Sequence, residues 1–292
     1  MRILKYTVTA EDDGRKLKLI LRGRMAISYG LLQSLKWRAG AICLNGRPCT
    51  VVQIVHDGDV VTVNAEDTTE ISRHIIPVNY PLDILWEDED LLILNKPAGI
   101  AVHSAALTEE SVTVAGAVAH YLDGSAFHPV NRLDKGVTGI MVIAKNGHAH
   151  DLCMRILHTD DFHREYRGIC EGVPIPPIDT IDLPIGRDPD SVIRRRIDPA
   201  GLEAHSEYEV LKTAKDRALL RLRPLTGRTH QLRLHCAAIG HPLVGDWLYG
   251  TEDRSLIGRP ALRSYELWLH HPLTGEPLHI IAPLPEDMEK LL

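Results

Sequence analysis

From about residue 82 onward, short apolar runs suited to strands are interleaved with helix-length runs, and no strand–helix–strand rhythm repeats. Segments 84–86 and 91–94 read as two strands around an acidic turn, Glu87 to Asp90. Segment 139–144 reads as a buried strand and 147–157 as the helix after it. Further strands are expected at 166–170, 208–212 and 218–222, and further helices at 111–122 and 229–239. Such irregular interleaving disfavours a doubly wound parallel sheet. The expected class is α+β, with a mixed, largely antiparallel sheet. There is no G-x-G-x-x-G and no P-loop, so a nucleotide cofactor has no motif to sit on.

Segment 1–66 has a different character. It carries ten Lys/Arg and six Asp/Glu, against 23 and 33 in the rest, within a net charge of -6. Between Gly14 and His56 there is no acidic residue, while Arg15, Lys16, Lys18, Arg22, Arg24, Lys36, Arg38 and Arg47 all fall there. A charge run is usually a solvated face. Its alternative is phosphate binding, which gains affinity by releasing counterions. Residues 14–22 suit a short helix, and Ser28 an N-cap for a second helix up to Arg38, stopped at Gly40. An apolar strand, an Asn45-Gly46 turn and a second β-rich stretch follow. The expected organisation is a small binding module at 1–66, a polar linker at 67–80 and a larger domain at 81–292. Two domains also suit 292 residues, at ~150 each.

The five cysteines, Cys43, Cys49, Cys153, Cys170 and Cys236, are scattered and form no C-x-x-C. That speaks against a disulfide framework and for a reducing compartment. Residues 1–13 hold no apolar signal region, and no run approaches 18 apolar residues, so the expected address is the cytoplasm, with no membrane partner. No H-E-x-x-H occurs, and His148/His150 cannot face one ion from a helix, so no metal is expected.

Three segments concentrate polar residues. The first, His128-Pro129-Val130-Asn131-Arg132-Leu133-Asp134-Lys135-Gly136-Val137-Thr138-Gly139, is a loop feeding an apolar strand. Loops fixed by a strand are where chemistry tends to sit, although a lone Asp more often closes a turn. The second, His163 to Ile169, sets Tyr166 among charges; most such tyrosines only pack. The third is Thr226-Gly227-Arg228-Thr229-His230-Gln231-Leu232-Arg233-Leu234-His235. On the expected helix, Leu232, Cys236 and Ile239 share a core face, while His230, Arg233 and Ala237 share a face able to line a cleft. Arg228 would sit in the first turn, where a cation opposes the helix dipole, which points to a nearby anion.

Together these segments resemble the RluA-type pseudouridine synthases. Residues 131–139 are similar to that family's His-Arg-Leu-Asp-x-x-Thr-Ser-Gly. Tyr166, the run from Thr226 to Arg233, Gly240-His241-Pro242-Leu243-Val244-Gly245-Asp246, Leu248-Tyr249-Gly250 and Asn95-Lys96-Pro97-Ala98-Gly99 follow its other motifs in order. Segment 1–66 resembles the alpha-L RNA-binding motif through Gly14-Arg15-Lys16-Leu17, Ser28 to Gln33, Gly40 to Gly46 and Gly58-Asp59-Val60, with Lys18 where Asp is often found. Two further departures are Asn131 for His, and Val137-Thr138-Gly139 for Thr-Ser-Gly.

The resemblance implies isomerisation of uridine to pseudouridine in RNA, in large-subunit ribosomal RNA first and transfer RNA second. Asp134, Tyr166 and Arg233 would be catalytic. Asp134 would act as nucleophile, or as the base in a route through a glycal; Arg233 is its cationic partner; Tyr166 stacks on the uracil and assists proton removal. Arg132 would fill the gap left when the base flips out, a step that costs a few kcal/mol. Asn131, Arg228, His230 and Gln231 would contact substrate. Arg15, Lys16, Lys18, Arg22, Lys36 and Arg38 would hold RNA. No cofactor is implied, and a monomer is expected. The alternative is a non-catalytic RNA-binding or ribosome-assembly factor on the same fold.

Overall fold

The computed structural model describes residues 2–66, 75–103, 112–124 and 127–292. Residues 67–74 of the expected linker and Ser111 of the expected third helix lie outside the described residues.

The N-terminal body is a four-stranded antiparallel sheet with two helices. Its elements are β1 (Ile3–Thr7), α1 (Leu17–Arg22), α2 (Tyr29–Trp37), β2 (Ile42–Leu44), β3 (Arg47–Pro48) and β4 (Val60–Asn64), in sheet order β1-β4-β2-β3. Ser28 caps α2, its Oγ accepting from Leu31 N at 3.2 Å. Asn45 and Gly46 both have positive φ, +50° and +76°. A tight hairpin turn whose twist matches its strands demands this of both central residues. Leu17, Ile20, Leu21, Leu32, Leu35, Val61 and Val63 form a core of this body's own residues. The sequence reading expects two helices and a hairpin; β1 is an addition. Its inward face is only half covered, and Ile3 is exposed. The alternation that signals a strand is therefore faint.

The larger body contains β5 (Ile84–Glu87), β6 (Leu91–Lys96), α3 (Val114–Tyr121), β7 (His128–Pro129), β8 (Thr138–Ala144), α4 (Gly147–Ile156), β9 (Phe162–Glu171), β10 (Ile178–Asp182), β11 (Ile185–Arg187), β12 (Arg195–Ile197), β13 (His205–Ala214), β14 (Arg217–Pro224), α5 (Gln231–Ala238), β15 (Leu262–His270), β16 (Pro277–Ile281) and α6 (Glu286–Glu289). The main sheet runs β10-β13-β14-β9-β15-β8-β6-β5, with β16 on β15 and β7 on β8. Among the described residues, β8–β15 is the sheet's one parallel pairing. The class is therefore α+β with a mixed, mostly antiparallel sheet.

Alternation along β6 and β8 divides the interior into two layers. Leu92, Leu94, Met141 and Ile143 face a core with Val114 and Val118 of α3 and Leu232 and Cys236 of α5. Leu91, Ile93, Ile140 and Val142 face the other side, against Ala149 and Cys153 of α4. Both strands are thus buried on two faces, and each such Leu or Ile contributes ~1.5–3 kcal/mol over an exposed one.

The β8–β15 junction positions the site. Gly139 lies at φ +106°, and a Cβ there would collide with Ser264 O. Only glycine lets these backbones approach so closely. Arg263, buried, donates to Thr138 Oγ1 (3.2 Å), Asn95 Oδ1 (3.0 Å) and Ala282 O (3.0 Å), tying β6, β8 and β15 together. Strand β15 is absent from the sequence reading because Arg263 and Ser264 occupy buried positions and break its apolar pattern.

The two bodies meet through charge. Arg2 donates to Asp90 twice (2.8 and 2.6 Å) and to Glu89 (2.6 Å), and Arg155 donates to Ala26 O (3.2 Å). Asp90, Asp88 and His271 stand within metal-ligating reach of one another. Asp90 is already filled by Arg2 and by Asn146 Nδ2 (3.0 Å), and His271 Nδ1 accepts from Thr274 N (3.1 Å). His271 Nε2 faces Asp88 Oδ2 at 3.0 Å.

Candidate active site

Asp134 lies on the loop that enters β8. This loop is pinned from below by Lys96, a buried residue whose Nζ donates to Pro97 O (2.9 Å), Val137 O (3.0 Å) and Lys135 O (3.3 Å). Burial lowers the Lys96 ammonium to about 8, with the charge of Asp134 acting the other way. Loss of water disfavours a charge, and a neighbouring opposite charge favours it. From the opposite wall, Arg233 of α5 donates from one terminal nitrogen to Asp134 Oδ2 at 3.0 Å. The rest of its guanidinium forks onto Asp246, at 2.7 and 2.8 Å. Asp246 is fully buried and accepts also from Leu248 N (3.0 Å). One arginine therefore sits between two carboxylates, one sealed and one facing an open cleft. Burial lowers the Arg233 guanidinium, but Asp246 and then Asp134 raise it above the ordinary arginine range.

The cleft measures about 610 Å³. Asp134, Tyr166, Arg233, Arg132, Arg228 and His230 all line it, so the residues expected from three separate segments share one space. Tyr166, on β9, is 6% exposed and packs with the core beneath the cleft. Arg132 is exposed at the rim. His230 Nε2 stands 3.8 Å from Asp134 Oδ2, and its Nδ1 2.9 Å from Tyr249 Oη.

Three expectations need correction. Asn131 and Gln231 border the cleft, but their amides are committed to the protein. Asn131 Oδ1 accepts from Val142 N (2.7 Å) and its Nδ2 points to Ile140 O (3.5 Å). Gln231 Oε1 accepts from Thr226 Oγ1 (2.8 Å) and Arg228 N (3.0 Å), while Nε2 donates to His205 O (2.8 Å) and Ser206 Oγ (2.9 Å). They shape the walls, and among the described residues Gln231 keeps no amide hydrogen for a substrate. Helix α5 also begins later than expected. Residues 226–230 fold around the Gln231 amide, and His230 adopts a left-handed conformation (φ +59°) as its N-cap. Arg228 thus precedes the helix, so the dipole argument for it falls away. It is exposed, and its Nε donates to Glu203 O (2.9 Å).

The departures at 131 and 137 have physical roles. An amide at 131 suffices to pin the loop to β8, and Val137 is a core residue. Sequence reasoning does not single out Asp246, Tyr249 or Lys96. All three stand in motifs that carry the resemblance, which is the signal that could have found them.

A family model of RNA pseudouridylate synthases matches residues 90–238. The chain belongs to that family. Among relatives of this synthase, the Uncharacterized RNA pseudouridine synthase YjbO of Bacillus subtilis is 36% identical over 92% of this chain and 96% of its own. The Ribosomal large subunit pseudouridine synthase D of Escherichia coli K12 is 35% identical over 99% of this chain and 93% of its own. The solved structure of Human RNA Pseudouridylate Synthase Domain Containing 4 superposes with a TM-score of 0.57 at 25% identity, covering 71% of this chain and 90% of that one. The synthase is thus of the RluA type that its motifs imply, an enzyme that isomerises uridine in RNA. Among the described residues no helix is long and apolar enough to cross a membrane.

Proposed function

We propose that this synthase converts one or more uridines of large-subunit ribosomal RNA to pseudouridine, with Asp134 as the acting carboxylate. The observation that carries this reading is the carboxylate of Asp134, open to a cleft yet held by an arginine that is itself anchored on the buried Asp246. The reaction breaks the bond from ribose C1′ to N1 and joins C1′ to C5. The proton on C5 must leave, and N1 must gain one. Asp134 acts on the ribose, either by attack at C1′ or by removing the C2′ proton on a route through a glycal. Arg233 holds the carboxylate in place through its hydrogen bond to Oδ2. Tyr166 stacks on the uracil and assists removal of the C5 proton. Arg132, at the rim, enters the space the flipped uridine leaves, and Arg228 meets a backbone phosphate.

The N-terminal body acts as the RNA anchor, through Lys16, Lys18, Arg22 and Lys36, all exposed. Segment 1–66 holds the RNA and segment 81–292 changes it. Free cysteines at all five positions suit a cytoplasmic enzyme. The identity with a ribosomal large subunit pseudouridine synthase over nearly the whole chain supports ribosomal RNA over transfer RNA. The test is a pseudouridine map of total RNA from cells with and without the gene. A site lost from large-subunit ribosomal RNA is the expected outcome. Losses confined to transfer RNA would overturn the substrate assignment.

A further inference from the structure

Behind Asp134 runs a chain of polar contacts that the reaction above leaves unused. Arg195 N–H, at the start of β12, donates to Tyr249 Oη at 2.9 Å. Tyr249 Oη stands 2.9 Å from His230 Nδ1, and His230 Nε2 stands 3.8 Å from Asp134 Oδ2. The tyrosine is itself fixed. Its backbone N–H donates to Asp246 Oδ1 (3.3 Å), and the Arg233 guanidinium lies 5.4 Å from its ring centre. His230 holds a left-handed backbone, at φ +59°. That conformation costs a non-glycine residue energy and recurs at functional sites.

The protons along this chain can be assigned from both ends. A phenol has one proton and accepts through its lone pairs. Arg195 N–H takes a lone pair, and among the described residues the 2.9 Å contact to His230 Nδ1 is the one that offers the phenol proton an acceptor. A neutral ring that accepts at Nδ1 carries its own proton on Nε2. The other end gives the same answer, because a bare Nε2 would turn its lone pair toward the Asp134 carboxylate. Burial, the largest influence, lowers the His230 imidazolium, as do Arg233 and Arg195, against Asp134 and Asp246, which favours the neutral ring.

We propose that His230 is a positioning residue, locked by Tyr249 as the Nε2–H tautomer so that this N–H and Arg233 together fix the orientation of the Asp134 carboxylate. The inference rests on Asp134 being the acting carboxylate. At 3.8 Å His230 Nε2 and Asp134 Oδ2 are neighbours but not bonded, and contacts of this kind often tighten when substrate binds. A Gln at 230 can still present an N–H, whereas an Ala cannot.

Nitrogen NMR of the full-length protein with labelled histidine tests the tautomer without reference to turnover. The wild type should show Nε2–H for His230, and Tyr249→Phe a mixture of tautomers. In steady-state assays His230→Ala should lower kcat about tenfold, the effect of one lost orienting hydrogen bond, with a smaller change in RNA affinity. His230→Gln should recover most of that loss. An Nδ1–H tautomer in the wild type overturns the proposal. So do equal losses in His230→Ala and His230→Gln with native circular dichroism, or full kcat in both. If Asp134→Asn retained turnover, the assignment of Asp134 would fail, whatever the tautomer of His230.

Discussion

Arg233 illustrates how one buried cation organises a site. Asp246 supplies a bidentate anchor that is wholly shielded from water, and Asp134 takes the remaining donor at the cleft surface. Removing one partner of a buried ion pair strands the other, typically at ~3–5 kcal/mol. Asp246→Asn is therefore expected to lower the unfolding free energy by about that amount in urea titrations, and to reduce turnover by letting Arg233 drift from Asp134. A variant with wild-type stability would show that Asp246 does not anchor Arg233. The pairing of Asp134 with Arg233 is legible in the sequence, through the motifs and the polar face of the third segment. Asp246 shows only as the last residue of a motif, since it lies in a turn that follows no period and nothing local assigns it a partner. Asn131 and Gln231 read as ligands because a sequence cannot say where a buried amide points.

At the level of elements, the acid-free window of the N-terminal body overstates its free charge. Asp12, just before that window, is buried and pairs with both Arg15 (3.1 Å) and Arg24 (2.8 Å). Its carboxyl is held below the usual range by the Tyr6 hydroxyl and the Arg24 guanidinium. Arg38 donates to the carbonyls of Asn64 and Glu66, closing the end of β4. Lys16, Lys18, Arg22 and Lys36 are exposed without such a carboxylate partner among the described residues, though Arg22 also donates to Ile27 O (2.7 Å). Neutralising these four should weaken RNA binding and flatten its salt dependence, by roughly 0.7–0.9 in log–log slope for each phosphate no longer neutralised. Affinity and slope unchanged across a salt series would refute the anchoring role. The helices themselves are legible, since Ser28 and the apolar spacing mark them. Strands β1 and β15 are not: one is only half covered, and the other buries an arginine and a serine.

At the scale of the molecule, the parallel junction of β8 with β15 seats the loop of Asp134 against the wall that carries Arg233, a residue 99 positions further along the chain. The irregular order of strands and helices announces a mixed sheet, but the strand order is set by tertiary pairing that no local pattern reports. The central claim is that Asp134 performs the isomerisation in RNA. Its most direct test compares wild-type protein with Asp134→Asn on large-subunit ribosomal RNA lacking the modification, scoring pseudouridine and RNA binding together. The expected result is pseudouridine formed by the wild type, none formed by the variant, and binding by the two within about twofold, since the carboxylate makes no phosphate contact. Pseudouridine formed at equal rates by both proteins would contradict it.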